Sequence, residues 1–341
     1  MNKADVTRQI IRTTVEKAIN DIENDTERSV RNLVELGQNF VCGRFQQYFF
    51  DMMGAILKNR ESAYYPLAGK IVSTVDHETI KTFGINLGYN GCTLGAASIR
   101  ENEQREGFNI PWTAAFKLSG RSGDMSVDEV DAAISQFREL GVYCYVIICL
   151  PNMEKLISGL FKKYSDCAFV LFIYGGDIGE RAADDLTNYK NLMIAVSADS
   201  AGFAASTALM RREKLLYAVY SIYDDKMTGD ILSDSWIQRV APETGTFAFL
   251  IAGSDAGART RDAVCSYVRR VRAEQKYPLF LMDVISDIMY IDRIISDDAC
   301  SVMFDGDGQL LTFEGRACDD KLNLRRTAVK EILQTAAPKK K

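Results

Sequence analysis

From Ile110 onward the sequence repeats one unit: a short apolar run, then a stretch with apolar residues at helical spacing. No other feature restricts the fold as much. The first run is 111–116. A helix is expected over 128–140, where Val130, Ala133, Ile134 and Phe137 share one face and Gly141 ends the element. The next run, 142–149, is apolar at every position, as in strands buried on both faces of a parallel sheet. The unit then recurs, with strands expected over 167–174, 191–197, 215–223, 246–252 and 278–284, and helices over 153–164, 182–189, 204–214, 233–240 and 261–276. Strands joined by helices through short loops imply parallel pairing with right-handed crossovers. An open doubly wound sheet and a partial or full (β/α) TIM-like barrel both satisfy this pattern.

The ends of the chain read differently. Val6, Ile10, Ile11, Val15, Ala18, Ile19 and Ile22 fall at helical spacing, and a second stripe runs from Val30 through Phe45 and Phe49 to Leu57. Gly84, Gly88, Gly91 and Gly95 recur too closely for a regular helix in the segment before Arg105. Beyond the last strand, the runs 300–304 and 309–313 flank Asp305-Gly306-Asp307-Gly308, a hairpin signature, and a final helix is expected over 324–335. The expected division is an N-terminal helical module at 1–107, the barrel at 108–290, and a hairpin with a helix at 291–341.

Composition excludes several classes of function. The net charge of −5 gives no dense Lys/Arg face for a phosphate backbone, so no nucleic acid is expected as partner. No run approaches the roughly 20 apolar residues needed to span a bilayer. Asp5, Glu16, Asp21 and Glu23 interrupt any signal-peptide core, so a cytoplasmic location is expected. The tail Pro338-Lys339-Lys340-Lys341 reads as a solvated terminus. The eight cysteines (Cys42, Cys92, Cys144, Cys149, Cys167, Cys265, Cys300 and Cys318) read as reduced, mostly buried thiols. No C-x-x-C occurs, and Cys144 and Cys149 lie an odd number of residues apart on one strand, hence on opposite faces. His77 is the only histidine and reads as a residue near a helix start. No metal site is expected.

Candidate binding groups lie where strands end. Gly175-Gly176-Asp177 and Gly253-Ser254 follow expected strands, at the rim where parallel sheets bind ligands. Backbone N–H groups there suit an anion, although tight turns explain the same glycines. Arg121, Asp124, Asp199 and Asp255 are the corresponding candidates for acid–base work, with helix capping as the plainer role for the aspartates. Asp305 to Gly308 lacks the later glutamate of a calcium loop and reads as a turn. The aromatic stripe Phe40, Phe45, Tyr48 and Phe49 reads as helical core or as a face for a protein partner docking on the N-terminal helices.

The order of these segments resembles one group of the radical SAM superfamily, bacterial enzymes related to those that attach an adenosyl group in hopanoid synthesis. Phe108-Asn109-Ile110-Pro111-Trp112-Thr113-Ala114-Ala115-Phe116 is similar to that group's first barrel strand. Met125-Ser126-Val127-Asp128-Glu129 followed by Glu139-Leu140-Gly141-Val142-Tyr143 resembles its first helix and second strand. Ser165-Asp166-Cys167-Ala168-Phe169, the segment from Asn191-Leu192 to Val196-Ser197, and Tyr277-Pro278-Leu279-Phe280-Leu281-Met282-Asp283 resemble later strands, and the region from Ser301 to Leu310 the C-terminal hairpin. The resemblance covers 108–312.

The resemblance implies three cysteines spaced C-x₃-C-x₂-C after the first strand, binding three irons of a [4Fe–4S] cluster. Here that loop is Lys117-Leu118-Ser119-Gly120-Arg121-Ser122-Gly123-Asp124, without a cysteine. A neutral hydroxyl is a poor ligand for a soft cluster. The group's Gly-Gly-Glu-Pro after the second strand is replaced by Cys149-Leu150-Pro151-Asn152, and its Thr-Asn-Gly after the third by Ile173-Tyr174-Gly175-Gly176-Asp177. The expectation is therefore a pseudoenzyme with no cofactor: the iron–sulfur cluster is absent and S-adenosylmethionine is not expected as a ligand. Two alternatives stand beside it, an enzyme using other chemistry at the rim and a sensor that binds S-adenosylmethionine or a nucleotide.

Overall fold

The computed structural model describes residues 3–38, 43–312 and 315–339. Cys42 and Phe40, Phe313 at the end of the expected hairpin, and Lys340 and Lys341 of the basic tail lie outside the described residues. In chain order the elements are α1 (Lys3–Asn24), α2 (Thr26–Gln38), α3 (Arg44–Ile56), α4 (Tyr64–Thr74), α5 (His77–Ile85), a π-helical segment (Asn86–Gly95) and α6 (Ala96–Glu106). The alternating region follows: β1 (Thr113–Leu118), α7 (Val127–Glu139), β2 (Cys144–Cys149), α8 (Glu154–Lys163), β3 (Ala168–Ile173), α9 (Glu180–Leu186), β4 (Leu192–Ser197) and α10 (Phe203–Arg212). It continues with β5 (Tyr217–Tyr223), α11 (Thr228–Leu232), α12 (Ser235–Val240), β6 (Phe247–Ala252), α13 (Ala258–Glu274), β7 (Phe280–Asp283) and α14 (Val284–Ile295). The chain closes with β8 (Val302–Phe304), β9 (Leu310–Thr312), β10 (Gly315–Arg316) and α15 (Val329–Ala336). No helix among the described residues is long and apolar enough to cross a membrane.

Two compact units divide the chain. One joins residues 1–41, 47–81 and 194–287; the other joins 42–46, 82–193 and 288–341. The first unit carries β4, from Ile194 on, with β5, β6 and β7 side by side, all parallel. Its helices pack through Ile19, Ile22 and Val72, with Val15, Val30 and Ile80 against them. Three polar links fasten these helices to the sheet-bearing segment: Ala63 N–H to the Gln275 carbonyl (2.9 Å), Lys70 Nζ to the Thr244 carbonyl (2.6 Å) and Asp76 N–H to the Lys214 carbonyl (2.9 Å). His77 opens α5, its Nε2 3.1 Å from the Val72 carbonyl oxygen. By contrast α3 buries none of its residues, and Tyr48 and Phe49 are exposed.

The second unit carries the order β10-β9-β8-β1-β2-β3. β8, β1, β2 and β3 run parallel, and β8 turns through Asp305 to Gly308 into antiparallel β9. α7 starts with a capping box: Ser126 Oγ accepts from Glu129 N–H while the Glu129 carboxylate accepts from Ser126 N–H. The glycine-rich segment, whose glycines recur too closely for a regular helix, is helical but irregular, with a π-helical stretch at Asn86–Gly95 between α5 and α6. The reason is close packing. A Cβ on Gly91 would lie 2.7 Å from Cys144 Sγ, and one on Gly95 2.6 Å from the Gly141 carbonyl oxygen. Gly141 itself has φ +100° and sits against Ser98 and Ile99. The side chains of Asn86 and Asn90 then donate to the carbonyls of Ser165, Asp166 and Cys167 just before β3.

The parallel strands of this unit have unlike faces. Ala114, Phe116, Leu118, Tyr145, Ile147, Cys149, Phe169, Leu171, Ile173, Val302 and Phe304 are all buried. Phe116 stacks on Phe304 with ring centroids 5.9 Å apart, and Phe137 of α7 fills the space above both. On the opposite face the lowest row, Thr113, Cys144 and Ala168, lies under the π-helical segment and is buried. The next row, Met303, Ala115, Val146 and Val170, is half-exposed, and Lys117 and Ile148 above it are half-exposed beside buried Phe172.

Candidate functional site

Each sequence-predicted residue sits just beyond the C-terminal end of a strand. Arg121 and Asp124 follow β1, and Gly175, Gly176 and Asp177 follow β3, all in the second unit. Asp199 follows β4, and Gly253, Ser254 and Asp255 follow β6, all in the first.

The loop after β1 is organised by the Asp124 carboxylate. It accepts from Ser119 N–H (2.7 Å), from the Ser119 hydroxyl (3.0 Å) and from Arg121 N–H (3.2 Å). Arg325, just before α15, then clamps the loop, donating to the Gly123 carbonyl (2.7 Å), the Asp124 carbonyl and the Glu129 carboxylate. A Cβ on Gly306 would meet Asp124 Oδ1 at 2.5 Å, so the hairpin turn also presses on this carboxylate. The Arg121 side chain is exposed.

The remaining candidates are similarly held by the chain's own groups. After β3, Gly175 has φ +77°, and a Cβ on Gly176 would lie 2.9 Å from Pro151 Cγ. The two glycines let this turn lie against the turn after β2. Asp199 Oδ1 accepts from the Ser221 hydroxyl (2.9 Å), whose oxygen accepts from Trp236 Nε1–H (2.9 Å); Arg239 lies 3.6 Å from the same carboxylate. Ser254 donates to neighbouring Asp255 (3.1 Å), and both are exposed. The start of α13, where the Gly253 turn suits a bound anion, is met by the Asp225 carboxylate, which accepts from Gly257 N–H (2.9 Å) and the Thr260 hydroxyl (2.6 Å). These bonds hold the Asp225 carboxyl below its usual range. A phosphate there would face a carboxylate.

The sequence reading missed Glu154. It stands in the first turn of α8, after β2, with only 5% of its surface exposed, and its buried Oε2 has no hydrogen-bond partner. An acidic residue in a first helical turn looks like an ordinary dipole partner in sequence, and only its burial sets it apart. Burial also pushes the Cys149 thiol at the end of β2 up to about 12, with Glu154 adding to the effect. Lys117 was quoted only as part of a loop. It lies on the half-exposed face, 4.0 Å from Asp305 Oδ1.

A [4Fe–4S] cluster does not fit the residues after β1. It requires three thiolates. The loop supplies hydroxyl and carboxylate oxygens that are already used within it, and Cys149 is a buried thiol held protonated. Among the described residues no group of three or more His, Cys, Asp and Glu side chains is placed to hold a metal ion. Seven cysteines are described, and none of them is in a disulfide; Cys92, Cys144, Cys149, Cys167 and Cys300 are buried and Cys318 is exposed.

No family model matches the sequence, and no curated protein matches it. Solved structures do. SuiB of Streptococcus suis matches with a TM-score of 0.50 at 10% identity, over 70% of this chain and 69% of that one. SuiB bound to S-adenosylmethionine gives 0.48 at 9% identity, over 70% and 67%. The structure of anSMEcpe with bound AdoMet and a Cp18Cys peptide gives 0.44 at 9% identity, over 64% and 80%. The expectation that S-adenosylmethionine is not a ligand is corrected by these neighbours, since SuiB and anSMEcpe each hold it on this type of scaffold. The physical reason is that strand-end rims bind ligands largely through backbone groups, so a missing side-chain motif does not exclude a ligand. At these identities the likeness is one of fold alone: an α/β chain on a partial (β/α) barrel like that of SuiB, with helices before the barrel and a hairpin and helix after it.

Proposed function

We propose that this chain is a ligand-binding pseudoenzyme on the radical SAM scaffold, one that does not run cluster-based radical chemistry. The observation that carries this reading is the turn after β1, where one carboxylate, Asp124, does the organising that a metal cradle would otherwise do. Oxygen donors of this kind do not suit a soft iron–sulfur centre. The clamp of Arg325 on the Gly123 and Asp124 carbonyls and on Glu129 further supports it, because it fastens the loop from the far end of the chain. The test is anaerobic reconstitution with iron and sulfide, followed by iron and acid-labile sulfide analysis. The expected result is substoichiometric iron and no broad absorbance near roughly 400 nm. About four irons per chain would contradict the reading.

A second reading concerns the ligand, and Glu154 favours it. A buried carboxylate with an unpartnered oxygen gains from a cationic group, and the ammonium of S-adenosylmethionine is one. Glu154 stands beyond a strand end of the same sheet. Calorimetry with S-adenosylmethionine on wild type and Glu154→Gln tests it. Measurable heat that the variant loses supports this reading; no heat with wild type contradicts it.

A further inference from the structure

Parallel sheets are ordinarily covered on both faces. The β8-β1-β2-β3 sheet is fully buried on one face and only partly buried on the other. Its open face has a floor, a wall and one charge. The π-helical segment forms the floor, closing over Cys144 and burying the row Thr113, Cys144 and Ala168. The wall above is apolar and half-exposed: Met303, Ala115, Val146 and Val170, then Ile148 one row higher. The charge is Lys117, in register with Ile148 and Phe172. Its side chain is 44% exposed, and its ion-pair partner Asp305 is 4.0 Å away. Asp305 is engaged more closely by Arg316, at 3.0 Å. Lys117 thus stands over an apolar wall with a distant counter-charge that is shared with a nearer arginine.

We infer that this face binds a small amphipathic acid, with its hydrocarbon body against Val146, Ile148, Val170 and Met303 and its carboxylate on Lys117. The dimensions agree. From the floor row at Thr113 to the row of Lys117 is four residues of strand, about 13 Å at about 3.3 Å per residue, the scale of a medium-chain acid. Burying the body removes apolar wall from water, and the carboxylate replaces Asp305 as the nearer partner of the ammonium. Glu154 belongs to the helix-covered side, beside Cys149, and does not oppose the anion. The inference rests on the binding reading above, to which it adds a ligand class.

The test is calorimetric titration of iron-quantified protein with octanoate, octanol and octylamine. Octanoate is expected to bind at least tenfold more tightly than octanol, and octylamine more weakly than either. Lys117→Met, which keeps the stem and removes the charge, is expected to bring octanoate to within about threefold of octanol while leaving octanol unchanged. Ile148→Gln is expected to weaken both, and circular dichroism confirms that each variant is folded. Equal affinities of wild type for octanoate and octanol, or no octanoate binding to iron-free protein, would overturn the inference and leave the pseudoenzyme reading standing. Stoichiometric iron in the same sample would instead overturn the reading beneath it.

Discussion

The two faces of the β8-β1-β2-β3 sheet are built from similar residues and do different work. The helix-covered face is dense: Phe116, Phe304 and Phe137 form one aromatic cluster, Tyr145 and Phe169 stack at 5.5 Å, and all are buried. The other face has the same kind of aliphatic residues at alternate positions but leaves them half-covered, with a lysine among them. The difference teaches that apolar character does not by itself mark the core. One face holds the sheet to its helices, and the other is only partly covered.

This comparison has measurable consequences. The largest is on the covered face: Phe116→Ala is expected to cost about 3–5 kcal/mol, read as a loss of midpoint in urea denaturation. Next is a pH effect at the buried carboxyl of α14. Asp292 is fully buried, accepting from Trp112 N–H (2.8 Å) and Cys300 N–H (3.2 Å), and its burial raises the carboxyl to about 6. Because the folded carboxyl holds its proton more tightly than the unfolded one, its contribution is fully present below about pH 4 and lost as pH rises toward 6. Urea midpoints are therefore expected to carry a downward component across that window, roughly 2 kcal/mol in size. On the open face Val146→Ala is expected to cost only about 1 kcal/mol. Smallest is Lys117→Met, within about 0.5 kcal/mol of wild type. If Val146→Ala cost as much as Phe116→Ala, the two faces would be equally structural and the comparison would fail.

Much of this architecture was legible in the sequence. The runs 142–149, 167–174 and 246–252 correspond to β2, β3 and β6 within a residue or two at each end, because continuous apolar runs bounded by turn residues admit few other readings. The helix expected over 128–140 corresponds to α7, whose start the Ser126 capping box fixes one residue earlier. Other features were hidden for physical reasons. α14 was missed because Val284 follows β7 without a glycine or proline to mark the change of period. The π-helical segment was legible only as an irregularity, because Gly91 and Gly95 serve a close approach to β2 and Gly141, which only three-dimensional proximity reveals. The candidates Arg121, Asp124, Asp199 and Asp255 lie beyond strand ends, yet their partners were not readable: Asp124 is spent on its own loop, and Asp199 is held by Ser221. Glu154 and the openness of the Lys117 face stayed invisible because burial is a property of packing, and Val146 and Ile148 look no different in sequence from Ile147.

The most direct check on the central claim is electron paramagnetic resonance of the anaerobically reconstituted, dithionite-reduced protein, with iron counted in the same sample. The account expects a silent spectrum, since the turn around Asp124 offers no thiolates. An integrated signal of a reduced [4Fe–4S] centre approaching one spin per chain would contradict it.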